Sequence, residues 1–145
     1  MPQFLATIVE IVKAAGQFEE FTRRGRHFHV VIENGSYQPL VIEAWDSPIA
    51  GEGRRISVAH SFDSYGDLVP DPEVEIRDDG WPIELSQVVG YTQVTVYQED
   101  GTLLFAPRAR RDVLHFLDDV WSCNLRAQRF IEAAQKLAQP AEVAA

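Results

Sequence analysis

The sequence predicts an α+β domain: an antiparallel β-meander of about five to six strands, with an N-terminal helix and a long C-terminal helix on one face. Three observations predict it. Apolar residues recur at helical spacing near both ends of the chain, they alternate with a period of two in between, and tight-turn dipeptides separate the alternating runs.

Phe4, Leu5, Ile8, Val9, Ile11, Val12 and Ala15 form one stripe, and Gly16 is the expected stop. This is a helix of about three turns. RHFHVVIE then alternates Phe28, Val30 and Ile32 against His27, His29, Val31 and Glu33, and Asn34-Gly35 signals a hairpin. LVIEAW sets Leu40, Ile42 and Ala44 against Val41, Glu43 and Trp45. RISVAHSF sets Ile56, Val58, His60 and Phe62 against Ser57, Ala59 and Ser61. In EVEIR, Val74 and Ile76 oppose Glu73 and Glu75. Asp79-Gly80 makes a turn, YTQVTVYQ supplies Val94 and Val96, Asp100-Gly101 suggests another turn, and Leu103–Phe105 a short edge strand. After Pro107, residues 108–138 read as helix, with Ser122-Cys123-Asn124 as a break point. Unbroken, that helix would be about 45 Å long, so an end projecting from a small domain would pair with a second copy.

YGDLVPDPEVEIR (65–77) reads as a turn that delivers the chain into a strand at Glu73. Gly66 supplies the turn conformation, Asp67 bonds amides beyond it, and Leu68 and Val69 plug the core edge. Pro70 and Pro72 hold the residues before them extended and forbid a helix.

A chain of 145 residues suits one domain, expected over 1–138 with a frayed tail at 139–145. Cys123 is the only cysteine, which excludes an internal disulfide and fits a cytoplasmic protein. It reads as a buried, small apolar residue. No apolar run approaches the ~18 residues of a membrane span. The formal net charge is −9. Residues 63–106 hold one arginine against ten acids, whereas the flanking segments are close to neutral. An acidic middle third repels phosphate backbones, so direct nucleic-acid binding is disfavoured, and a basic protein partner is the complementary expectation.

Two readings of a site follow. In the first, the outward side of the third strand forms a shallow groove. Ser57, Ala59 and Ser61 are its floor, Glu43 and Trp45 stand on one side, Glu73 and Glu75 on the other, and His29 lies farther along the face. Carboxylates beside an aromatic suit a cation, a basic peptide or a sugar. In the second, His60, Asp63, Asp67, Asp71 and Glu73 gather around a metal for a hydrolase or nuclease. Against it, EF-hand and zinc spacings are absent, and so are the nucleophile elbow and the phosphate loop. No catalytic residue and no cofactor is predicted.

Three strings carry a family likeness: YQPLVIEAW, RISVAHSFDSYGDLVPDPEVEIR and GYTQVTVYQ. They resemble an uncharacterised family of bacterial and phage proteins, a domain of unknown function. The matching positions are Tyr37, Pro39, Leu40, Ile42 and Glu43; His60, Gly66, Asp67 and Leu68; and Asp71, Pro72 and Glu73. The likeness covers roughly 26–98 and departs at Ser61-Phe62, where the family usually has tyrosine after the histidine. It implies a plasmid, phage or other mobile-element setting, sometimes beside DNA-processing genes, and no activity or site. The sequence therefore favours a non-enzymatic binding or accessory module acting through its acidic surface or open sheet face, dimeric through the C-terminal helix.

Overall fold

The computed structural model describes residues 1–87, 92–95 and 107–139. Two N-terminal helices, α1 (Gln3–Ala14) and α2 (Phe18–Thr22), precede six strands: β1 (Phe28–Asn34), β2 (Tyr37–Asp46), β3 (Arg54–Ser64), β4 (Asp67–Arg77), β5 (Pro82–Gln87) and β6 (Thr92–Thr95). The C-terminal helical run comprises α3 (Pro107–His115), a π-helical segment (Phe116–Trp121), α4 (Ser122–Ala127) and α5 (Phe130–Ala138). The strands pair antiparallel in sequence order, β1 to β6. This is the predicted α+β meander.

The period-two alternation becomes rows of side chains across the sheet. One inward row is Phe28, Ala44, Ile56 and Ile76; the next is Val30, Ile42, Val58, Val74 and Leu85; a third is Ile32, Leu40 and His60. All the apolar members of these rows are buried. Over them lie Phe4, Ile8, Ile11 and Val12 of α1, Leu117 and Trp121 of the π segment, Leu125 of α4 and Phe130 of α5. The π segment's longer i→i+5 turn keeps Leu117, Trp121 and Leu125, spaced four apart, on the sheet side.

Gly16 stops α1 as expected. Its φ is +74°, its N–H donates to Lys13 O at 2.9 Å and the Gln17 N–H donates to Val12 O at 3.1 Å, a Schellman end. A Cβ here would also lie 3.3 Å from Ala138 Cβ, so the glycine lets α1 end close against α5. The two helical layers are tied by polar contacts as well. Thr7 Oγ1 and Ser122 Oγ are 2.6 Å apart, Phe4 N–H donates to Asp118 at 2.9 Å, and Arg126 forks onto Glu10 at 3.0 and 3.1 Å.

Several expectations are corrected. The C-terminal helix breaks at Gln128–Arg129, not at Ser122–Asn124: Arg129 sits in the left-handed region at φ +64°. Asn34 explains the position, because its side-chain amide donates to Gln128 O at 2.7 Å and satisfies a carbonyl freed by the break. α5 then folds against α1 and β1, so no rod projects from the domain. β4 starts at Asp67 rather than Glu73, and the cis Asp71–Pro72 pair coincides with a register shift against β3. The aspartate that caps the β3–β4 turn is Asp63, whose Oδ1 accepts the Gly66 N–H at 2.9 Å, not Asp67. Tyr65 and Gly66 both have positive φ, which matches the right-handed twist of the hairpin. Phe62 is only partly buried and stands outside the core. Cys123 is exposed. The side chains of Leu68, Val69 and Val94 lie outside the described residues, as do Val96, the Asp100-Gly101 turn, Leu103–Phe105 and the tail from 140.

Candidate functional site: an acidic groove on the open sheet face

Among the described residues, helices cover one sheet face only, and on the other face β3 contributes its small residues. Ala59 pairs with Val41 of β2 and Glu73 of β4; Ser57 pairs with Glu43 and Glu75; Ser61 faces Pro70. Short side chains between longer neighbours leave a depression of about 500 Å³. Ala59 is only 5% exposed although it points away from the core, which measures how high the walls rise. One wall is apolar, formed by Val31, Pro39 and Val41; Glu43 and Glu73 supply carboxylates, and His29 and Glu33 stand at the β1 rim.

Of the six candidate binding residues, Glu43, Ser57, Ser61 and Glu73 line this groove. Trp45 and Glu75 do not. Trp45 stacks on His27, with centroids 6.1 Å apart and planes 9° from parallel. Glu75 lies 3.6 Å from Arg55 Nη1. Trp45, Arg55 and Arg77 form one cross-strand row that bounds the acidic part of the face. Arg55 was missed as a site-shaping residue: reading the alternation back from Ile56 would have put Arg54 inward and Arg55 outward.

The two glutamates differ in their surroundings. Glu43 Oε2 is 3.1 Å from His27 Nε2, and Oε1 is 3.9 Å from His29 Nε2. Glu73 has no hydrogen-bond donor or cation against it among the described residues. Burial raises its carboxyl above the ordinary glutamate range, and the negative charges of Glu84 and Glu43 push in the same direction. A raised folded-state pKa gives stability that is present below the unfolded value and lost as pH rises through the folded one. Glu73→Gln is therefore expected to raise the Tm at pH 7 by a few degrees at most. At a pH below about 4, where glutamate is protonated in both states, the Tm should be unchanged. Thermal melts across that range measure it.

The five metal candidates point different ways. His60 lies on the helix-covered face, with ring centroids 5.7 Å from Trp121 and 5.4 Å from Phe130. Its Nδ1–H donates to Gln38 O at 3.1 Å, and burial lowers its pKa, which keeps the ring neutral. Asp63 caps a turn, Asp67 is exposed at the start of β4, Asp71 sits at the register shift, and Glu73 lines the opposite face. Among the described residues no three His, Cys, Asp or Glu side chains are grouped to hold a metal ion.

A family described only as a domain of unknown function, DUF6908, matches residues 6–131. The chain belongs to this family. The match extends beyond the resemblance at 26–98: the DUF6908 domain takes in α1 from Ala6 onward, α2, all six strands and the C-terminal helices as far as the start of α5. No curated protein and no solved structure matches the chain. No described helix of this DUF6908 domain is long and apolar enough to cross a membrane.

Proposed function

We propose that this chain is a non-enzymatic binding module whose outer-face groove takes a cationic side chain, lysine or arginine, of a basic protein partner. The observation that carries this reading is Glu73, a half-buried carboxylate with no cation against it among the described residues, held near two other carboxylates above a small-residue floor. Carboxylates concentrated in this way repel one another, and a positive charge entering the groove removes the repulsion. The apolar wall of Val31, Pro39 and Val41 suits the aliphatic stem of such a side chain. A mobile-element setting and a cytoplasmic location complete the reading; the family resemblance supports the first and the single cysteine the second.

Calorimetric titration with an oligolysine peptide at low salt tests it. Binding should weaken as salt rises. The double variant Glu43→Gln/Glu73→Gln should lose about tenfold in affinity, roughly 1.4 kcal/mol. Asp119→Asn, which removes an exposed charge on the helical side, should bind as the native chain does. Equal affinity in the double variant would remove the groove from consideration.

A further inference from the structure

β1 ends the sheet. Its only strand neighbour is β2, and no other hydrogen bond reaches the backbone of residues 28–34 among the described residues. The side of this strand away from β2 thus presents a row of unpaired N–H and C=O groups. Two common defences of an edge are missing, since FHVVIEN contains neither proline nor lysine; its one acidic residue is Glu33, and the one irregularity in its pairing with β2 lies at the turn end, between Ile32 and Asn34. Alongside runs α5, and between Ala133, Lys136 and Leu137 of α5 and Val31 and Glu33 of β1 lies an open trough of about 350 Å³. Its two borders carry exposed apolar side chains, Val31 at 38% and Leu137 at 48%.

We propose that β1 pairs antiparallel with β1 of a second copy of this chain, about a two-fold axis at Val31. The strand is self-complementary in that register. Val31 meets Val31, His29 meets Glu33 twice, and on the inner face Val30 meets Ile32. A two-residue slip toward the N-terminus sets His29 against Val31, and a slip the other way sets Glu33 against Val31. Within β1 only the centred register gives apolar pairs together with both imidazole–carboxylate pairs, since the N-terminal slip brings an imidazole to Glu33 only through His27, outside the strand; such cross-strand pairs select register. The incoming strand occupies the trough beside α5 and covers Leu137.

This dimer differs from one built on the C-terminal helix, and it does not rest on the cationic ligand proposed for the groove. It does alter the groove. His29, Val31 and Glu33 form its outer rim, so the second copy would bring its own Glu33 next to His29 and join the two grooves into one trough across the axis. One strand pair and a helix edge make a small interface, consistent with dissociation on the order of micromolar.

Sedimentation velocity of the full chain over a concentration series is the test, with hydrogen exchange of the β1 amides read at the same concentrations. A dimer that grows with concentration, with β1 amides protected in step, is expected. Val31→Asp places like charges directly opposite each other and should weaken the dimer at least about tenfold. Because Val31 is exposed, the variant should keep the circular dichroism of the native fold. In a Cys123→Ser background, Val31→Cys should form an intermolecular disulfide on oxidation, since facing Cα atoms in an antiparallel pair lie about 4.5–5.5 Å apart. A chain that stays monomeric at every concentration overturns the proposal, and so does a dimer indifferent to Val31→Asp with unprotected β1 amides.

Discussion

Phe130→Ala is expected to cost about 3–5 kcal/mol, the range for deleting a fully buried phenylalanine. Phe130 is 0% exposed at the first turn of α5. Its ring lies 5.4 Å from His60 and 6.3 Å from Tyr37, so it joins the last helix to two strands. The break at Gln128–Arg129 turns the chain and sends this ring into the core. Truncation leaves a cavity where the helical layer meets the sheet, and the surrounding main chain is fixed on both sides. With a typical total stability of 5–15 kcal/mol, a fall in Tm of roughly 10–15 °C is expected in a melt followed by circular dichroism. Phe130→Leu, which retains most of the volume, should recover more than half of the loss.

Arg54→Ala should have the second largest effect, about 2–4 kcal/mol. Arg54 is 4% exposed and spreads its donors in three directions: Nε to Phe21 O at 3.1 Å, Nη2 to Arg26 O at 2.8 Å and Nη1 to Asp46 at 2.9 Å. It ties α2 and the segment after it to the end of β2. Alanine would leave two carbonyls without partners, each worth about 1–3 kcal/mol where buried. Asp46 is partly exposed and can turn to water, which keeps the total below that for a fully buried ion pair. Arg54→Lys should restore only a small part, because an ammonium group cannot span three acceptors held by a planar fork. Urea denaturation of both variants would show it; a midpoint for the alanine variant equal to the native one would mean that α2 is held by Phe21 alone.

The strand faces were legible because the signal for them is local. Alternation in β1 to β4 assigns inward and outward sides, and Ser57, Ala59 and Ser61 announce a low floor between taller neighbours. The helix stop at Gly16 was legible for the same reason, since the residue type itself carries the conformation. What escaped depends on partners distant in the chain. Nothing near Gln128 marks a break, because the group that stabilises it is Asn34, 94 residues away in sequence. Trp45 was placed in the groove by alternation, but His27 draws it aside. Arg54 and Arg55 are neighbours in sequence, yet they serve opposite faces: one holds main-chain carbonyls beneath α2, the other approaches Glu75 beside the groove. The start of β4 was misplaced because prolines mark turns in most contexts, yet here Pro70 and Pro72 lie within the strand.

The ties between α1 and the C-terminal helices bear on the order in which the chain assembles. The sheet is a succession of hairpins between neighbouring segments, and such contacts close short loops quickly. The Phe4, Thr7 and Glu10 contacts instead join residues 114 to 119 positions apart. During synthesis α1 emerges first but meets its lasting partners only when the segment around Asp118–Arg126 has left the ribosome. Until then Ile8, Ile11 and Val12 lack the cover that the C-terminal helices give them in the finished fold. An apolar helix is thus the element that waits longest, which makes the nascent chain, rather than the finished fold, the state most in need of protection from aggregation.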